Sequence, residues 1–346
     1  MPNTLIPTPD ALVGATGQPA FGRFAETVAI INGRDTSLRT PMGGQASAFA
    51  RHFHYKQFQY FGIVSDQLLV GCALADTAWM ALAFVYVFEP ATGKLEEYTW
   101  RSPLSRALAM SQSPCQGSSR FQQGKVDIQM GYGREGSSLI KTLSVDCPAL
   151  QLQAQIVEPD SFQPMSLCTR TGINGWTYAN KVAGVPVSGS LAWQQQHRDL
   201  ATMDAFGHHD FSAGYMRRDT FWNWACMTGK TGDTAIGFNL SCGVNETSET
   251  ENCIWLDGQL EKVDTVHFEY QADDLLMPWS IHSSDGKVAL GFQPEGRHVE
   301  KLNLGIFASN FNQIFGRFSG RLQTNDGRTL ELEKQYGFVE EQFAKW

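Results

Sequence analysis

Along much of this chain apolar and polar residues change places at every step, a period that suits a pleated strand with one buried face. Leu150-Gln-Leu-Gln-Ala-Gln-Ile156 is the plainest case, and the stretches 127–132, 235–242 and 329–333 repeat it. Turn formers fall between such runs, as in Thr92-Gly93, Asp257-Gly258, Ser284-Asp-Gly286 and Asn325-Asp-Gly327. Strands spaced ~8–12 residues apart by such turns build sandwiches or barrels. Roughly sixteen to eighteen strand candidates are too many for one small barrel. The expected fold is therefore all-β: two antiparallel barrels or sandwiches packed together, with few short helices. The best helix candidates are 104–110 and 339–346. Glycine, at 33 residues, and aromatics, at 12%, agree with a β-rich chain of many turns.

No low-complexity linker divides the chain. Its proline-rich residues 1–20 read as an extended arm. Glycines and short polar residues interrupt the strands over 169–190, so the expected domains are 21–190 and 191–346. Two β-domains without a linker share a broad interface, and clefts at such interfaces commonly hold ligands.

Charge and motifs narrow the function. The net charge of −8 argues against nucleic acid as a partner and against a polybasic membrane anchor. No apolar window of ~18 residues predicts a transmembrane helix. Seven cysteines without a CxxC, and no secretory leader at the start, point to reduced thiols and a cytoplasmic location. Gly131-Tyr-Gly-Arg-Glu-Gly136 spells a dinucleotide motif, but a strand follows it where a helix is needed. Lys230-Thr231 mimics the end of a P-loop whose first glycine would fall on Trp224. His52 with His54, on a strand, and His208 with His209 lack a third ligand at metal-site spacing. No metal and no cofactor is expected.

The segment 207–261 stands apart. In Phe221-Trp-Asn-Trp-Ala225, Asn223 lies on the strand face opposite Trp222 and Trp224. In Ile236-Gly-Phe-Asn-Leu240, Asn239 lies opposite Ile236, Phe238 and Leu240. If the aliphatic faces pack between layers, both asparagines turn to water or to an enclosed cavity. Asp210, Glu251, His209, Arg217 and Arg218 share this aromatic-rich region. Apolar walls with a few convergent polar groups are the usual make-up of a small-molecule site.

These motifs resemble a bacterial family described as domain of unknown function 2804. The resemblance rests on Phe221-Trp-Asn-Trp-Ala225, Ile236-Gly-Phe-Asn-Leu240 and Thr250-Glu-Asn252, with Met277-Pro-Trp-Ser280 downstream. Ile314-Phe-Gly-Arg-Phe-Ser-Gly320 and Tyr336-Gly-Phe-Val-Glu-Glu341 extend it to the chain's end. That family is similar in turn to carotenoid 1,2-hydratases, tocopherol cyclases and lipocalin-like pericyclases. The likeness implies two lipocalin-like β-domains around a pocket for an apolar, often isoprenoid, ligand. It also matches His209-Asp210 and Asn223-Trp224 to a His-Asp pair and an Asn-Trp motif in the hydratase pocket. Thirteen positions separate Asp210 from Asn223, a longer spacing than the family's.

An acid–base reaction on a C=C bond, a hydration, isomerisation or cyclisation, follows as the expectation. Asp210 delivers the proton, kept protonated by burial, and His209 orients it or takes the proton back. Trp222, Trp224 and Tyr215 stabilise a carbocation by ~0.5–2 kcal/mol each. Asn223 and Asn239 hold a water or a substrate oxygen, and Arg218, with Arg217, clamps a polar head group. Glu251 completes the binding set; for Lys181 a reach into the same region stands as the alternative to the expected solvated strand lysine. The alternatives are a lipid or isoprenoid carrier of the same fold and a structural protein with a filled interior.

Overall fold

A computed structural model describes residues 5–245, 247–305 and 307–346. The chain is all-β, in two antiparallel sheets. The first sheet runs Lys94–Pro103, Met80–Glu89, Leu69–Asp76, Tyr55–Val64, Phe206–Tyr215 and Gly175–Trp193. It continues through Leu150–Glu158, Ser138–Cys147, Val126–Glu135, Gly117–Gln123 and Leu108–Ala109, and closes almost into a barrel. The second sheet is half of one: Gln259–Lys262, Cys253–Leu256, Thr234–Cys242, Asp219–Thr231, Thr329–Lys345, Ala308–Gln323, Val288–Asn303, Trp279–Ser283 and Val266–Glu269. Two lipocalin-like barrels describe the pair. Among the described residues no helix is long and apolar enough to cross a membrane.

Both helix expectations fail. Residues 104–110 form a turn, with Leu104 and Ser105 at positive φ, and the two-residue strand Leu108–Ala109. Residues 339–345 end the strand Thr329–Lys345, which has a partner on each edge. Two ladders of inter-strand bonds outweigh the weak local preference of a short run. The α-helix of the described residues is Ala48–Phe53, capped by the Ser47 hydroxyl, which accepts from the Ala50 N–H at 3.1 Å. His52 therefore lies on a helix and not on a strand.

The seam expected near residue 190 falls inside the strand Gly175–Trp193. Strand Phe206–Tyr215, expected in the second domain, sits in the middle of the first sheet, between Gly175–Trp193 and Tyr55–Val64. The chain changes sheets at residues 216–218. Of the arm, residues 1–4 lie outside the described residues. Leu12 and Val13, with Phe24 and Val28 beyond it, pack on Trp176, Tyr178 and Phe211 of the first sheet.

The sheets meet through two glycines. Gly184 sits at a bulge with φ of 77°. A Cβ on Gly237 would lie 2.5 Å from the Gly184 nitrogen, so only paired glycines let the backbones come this close. The Thr228 hydroxyl locks the contact: it accepts from the Gly184 N–H at 2.9 Å and donates to the Gly207 carbonyl at 2.9 Å. Lys181, three residues before the bulge, is thereby fixed beside the second sheet.

Candidate active site

Strand register builds the site as two rows of side chains, one per sheet. Cross-strand neighbours share a face, so the first sheet presents Lys181, Asp210, Tyr60, Ala73 and Phe84 in order. The second presents Ser241, Trp224, Glu340, Gln313 and His298. The rows face each other in the same order. The Lys181 ammonium lies 4.9 Å from the Trp224 ring centre, Tyr60 Oη donates to Gln313 Oε1 at 3.4 Å, and the Phe84 and His298 rings are 5.0 Å apart. Beside the rows a cavity of about 180 Å³ opens between the sheets, walled by Phe58, Leu82, Met216, Trp222, Phe307 and Phe311. Arg101 and Glu300 bridge the sheets in an ion pair at its rim.

The charged end of the cavity holds one ammonium and two carboxylates. Lys181 Nζ lies 2.6 Å from Asp210 and 3.5 Å from Glu251, with all three side chains largely buried. Burial opposes the charge on Lys181, but Asp210 and Glu251 overcome it and raise its pKa. Burial raises the Asp210 pKa, and Glu251 adds to this, against the pull of Lys181 and a 2.8 Å hydrogen bond from the Ser212 hydroxyl. Burial also works against a charged Glu251. Lys181 and the amides of Asn245, at 2.8 Å, and Asn239, at 3.3 Å, nevertheless bring its pKa below the usual range. Asn239 in turn accepts from Trp224 Nε1 at 2.7 Å. The cluster thus carries an ionised Glu251 and leaves Asp210 as the carboxylate on which burial acts unopposed by amide donors.

A second carboxyl stands on the facing row. Glu340 Oε1 accepts from Gln313 Nε2 at 2.6 Å and Oε2 from Trp222 Nε1 at 3.3 Å. Burial pushes its pKa up to about 8, the two N–H donors opposing. The chain of bonds continues from Gln313 to Tyr60 and from Tyr60 to Tyr86, whose hydroxyls are 2.6 Å apart. Gly71 makes room for both phenols, since a Cβ there would lie 2.3 Å from each. His208 lies over Gly62 and stacks on Tyr60 at 5.4 Å, and neither ring nitrogen has a hydrogen-bond partner. Burial, then Lys181, pulls its pKa down to about 3, so it is a neutral ring.

Of the residues expected in the site, Asp210, Trp222, Trp224 and Glu251 line the cavity. Asn239 stands directly behind, tying Trp224 to Glu251. The other four do not belong. His209 alternates with Asp210 and faces the inside of the first sheet's curl, where Tyr132, four strands away, meets it at 3.0 Å. It cannot orient Asp210. Tyr215 shares that face and donates to the Arg51 carbonyl at 3.1 Å, among Tyr55 and Trp176. Asn223 lies on the aliphatic face of its strand, donating to Tyr270 Oη at 3.2 Å and the Glu340 carbonyl at 3.1 Å. The two asparagines thus point to opposite sides. Arg218 is exposed where the chain changes sheets and donates to the Trp346 carbonyl at 3.4 Å.

Sequence reasoning missed Glu340 and set Lys181 aside in favour of a solvated strand lysine. A strand lysine is usually solvated, and the partner that buries this one is 29 positions away. Glu340 was hidden inside an expected helix; read as a strand, Phe338, Glu340 and Gln342 share one face. Among the described residues no group of three or more His, Cys, Asp or Glu stands close enough to hold a metal ion.

Two solved structures align with most of the chain at low identity. A candidate AttH of Nitrosomonas europaea is 12% identical, with 84% of this chain and 92% of that one aligned at a TM-score of 0.49. Kievitone hydratase from Nectria haematococca is 11% identical, with 92% and 93% aligned at a TM-score of 0.49. No curated protein matches the sequence. The family model described as domain of unknown function 2804 matches residues 5–346, and the chain belongs to that family.

Proposed function

We propose that the protein binds an apolar, isoprenoid- or lipid-like small molecule between its sheets and performs cofactor-independent acid–base chemistry on a C=C bond, as a hydratase, isomerase or cyclase. The observation that carries this reading is the Lys181–Asp210–Glu251 cluster at the edge of an otherwise apolar cavity. Two carboxylates on one ammonium are one positive charge short of neutral, and burial beside a like charge shifts a carboxyl pKa in the way that functional sites commonly use. Asp210 is the member that exchanges a proton with ligand or water. Glu251 is held by amides and serves to fix Lys181. Trp222 offers its ring to a cationic centre; the Trp224 face is already taken by Lys181.

A non-catalytic carrier is the second reading, favoured by the same 2.6 Å contact, because a carboxylate compensated by an ammonium also serves as plain structure. The two part on one experiment. Protein purified from cells is analysed by native mass spectrometry with lipid extraction, and the molecule recovered is incubated with wild type and D210N. An enzyme loses turnover in D210N while still binding the molecule. Unchanged conversion in D210N removes Asp210 from the chemistry, and absence of any conversion by wild type leaves the carrier.

A further inference from the structure

Of the carboxyls that border the cavity, Asp210 and Glu340 occupy matching places in the facing rows, whereas Glu251 is held by amides and Glu300 is paired with Arg101. Asp210 stands between Lys181 and Tyr60, and Glu340 stands between Trp224 and Gln313. Lys181 touches the Trp224 ring and Tyr60 touches Gln313, so the residues flanking one carboxyl meet the residues flanking the other. Their surroundings differ in kind. Asp210 has an ammonium at 2.6 Å and a hydroxyl donor at 2.8 Å. Among the described residues Glu340 has an amide and an indole as its donors, and its Gln313 amide is oriented from behind, because Gln313 Oε1 is engaged by Tyr60.

Resting on the reading above, we propose that Glu340 is the proton donor of this cavity and Asp210 its base, one carboxyl on each sheet, so that ligand and water are held between an acid and a base. For hydration the balance is complete. The carboxyl proton of Glu340 passes to one alkene carbon, the π electrons forming the C–H bond and leaving a cation at the other. A water oxygen forms the C–O bond with that cation, and Asp210 takes the proton that the water gives up. Exchange with solvent then discharges Asp210 and reloads Glu340. In an isomerisation no water adds, and Asp210 takes a proton from carbon instead. Neutral Glu340 also means that the apolar walls meet a hydrogen-bonding acid and not a bare charge, which suits an uncharged ligand.

The groups that face Glu340 decide its titration. Asp210 disfavours its charge and Lys181 favours it. Tyr60 and Tyr86, behind Gln313, are held neutral by burial, and His208 is the neutral ring stacked on Tyr60. Glu251 lies beyond Lys181, and His298 follows Gln313 in the row.

Two measurements on the full chain test the assignment. Infrared spectra across the range around about 8 are expected to show a protonated carboxylic C=O band that titrates near that value, persists in D210N and is absent from E340Q. Farnesol incubated with the protein in heavy water is expected to gain deuterium at a C=C bond, with E340Q and D210N each reducing the rate ~100-fold or more. Thermal melts of both variants show that the loss is not unfolding. A missing band, a band lost in D210N instead, or exchange by E340Q at the wild-type rate overturns the donor role while leaving the cavity's chemistry intact. A band of the expected behaviour with no deuterium uptake by wild type strikes the C=C reading itself, and the donor role with it.

Discussion

Two buried lysine–carboxylate pairs sit on the same sheet and do different things. Lys141 pairs with Glu158 at 2.7 Å and donates at 3.2 Å to Asn180, the residue before Lys181 on the same strand and so on its opposite face, one charge against one. Lys181 pairs with two carboxylates and borders a cavity. Both lysines are sequestered from water, so burial of charge does not by itself mark a site. What marks it is stoichiometry and access. The first pair is neutral and closed, whereas the second carries a surplus negative charge and a route for a ligand.

Breaking each pair from the lysine side gives the largest contrast. Lys141→Met strands Glu158 in a closed interior and is expected to destabilise the fold by about 3–5 kcal/mol in urea titration, with ligand binding retained. Lys181→Met is expected to fall at or below the low end of that range, because Asp210 can take up a proton in place of the lost partner, and to abolish turnover. Equal losses from the two substitutions would erase the distinction.

The pH dependence of stability sharpens it next. The folded pKa of Glu340 is about 8, above its ordinary 4.5, so the folded state holds the proton more tightly than the unfolded chain. Stability therefore falls as pH rises from about 4.5 to about 8, by a few kcal/mol at most, and E340Q removes Glu340's share of the slope, leaving that of Asp210. His208 acts at the other end. Its folded pKa of about 3 lies below 6.5, so stability is complete above 6.5 and is lost as pH falls toward 3. His208→Phe is expected to abolish that acid limb, read from melting temperature against pH.

Smaller effects probe the frame. Gly237→Ala places a Cβ against the Gly184 backbone and is expected to cost about 1–3 kcal/mol and to weaken ligand binding through the sheet interface. Ser212→Ala removes one hydrogen bond to Asp210, a change of about 0.5–1.5 kcal/mol in stability, and raises the pKa of Asp210 further. An unchanged pH profile for Ser212→Ala would mean that burial, Lys181 and Glu251 set the Asp210 pKa without the hydroxyl.

Much of this was legible from residue order, and the failures have physical causes. Alternation found the strands and put Trp222 and Trp224 on one face, Asn223 on the other. The helix expected at 339–346 failed because eight residues are too few for their apolar spacing to separate helix from strand, and that error concealed Glu340. Adjacency in sequence suggested His209 with Asp210, yet neighbours on a strand point to opposite sides. The ring on the same side as Asp210 is His208.

Residue order thus set the fold class and decided which side chains travel together on each strand. It did not decide which face meets the cavity. Asp210 and His209 are both withdrawn from solvent, as are Asn223 and Trp224, so polarity carries no sign of inside or outside on these strands. Nor did it announce that Lys181 meets Asp210, or that Glu340 stands opposite. Those pairings depend on the register of strands far apart in sequence and on the glycine contact that brings two sheets together. Only packing fixes such distances, because an ion pair or a raised carboxyl pKa arises from what surrounds a group in space, not from its neighbours along the chain.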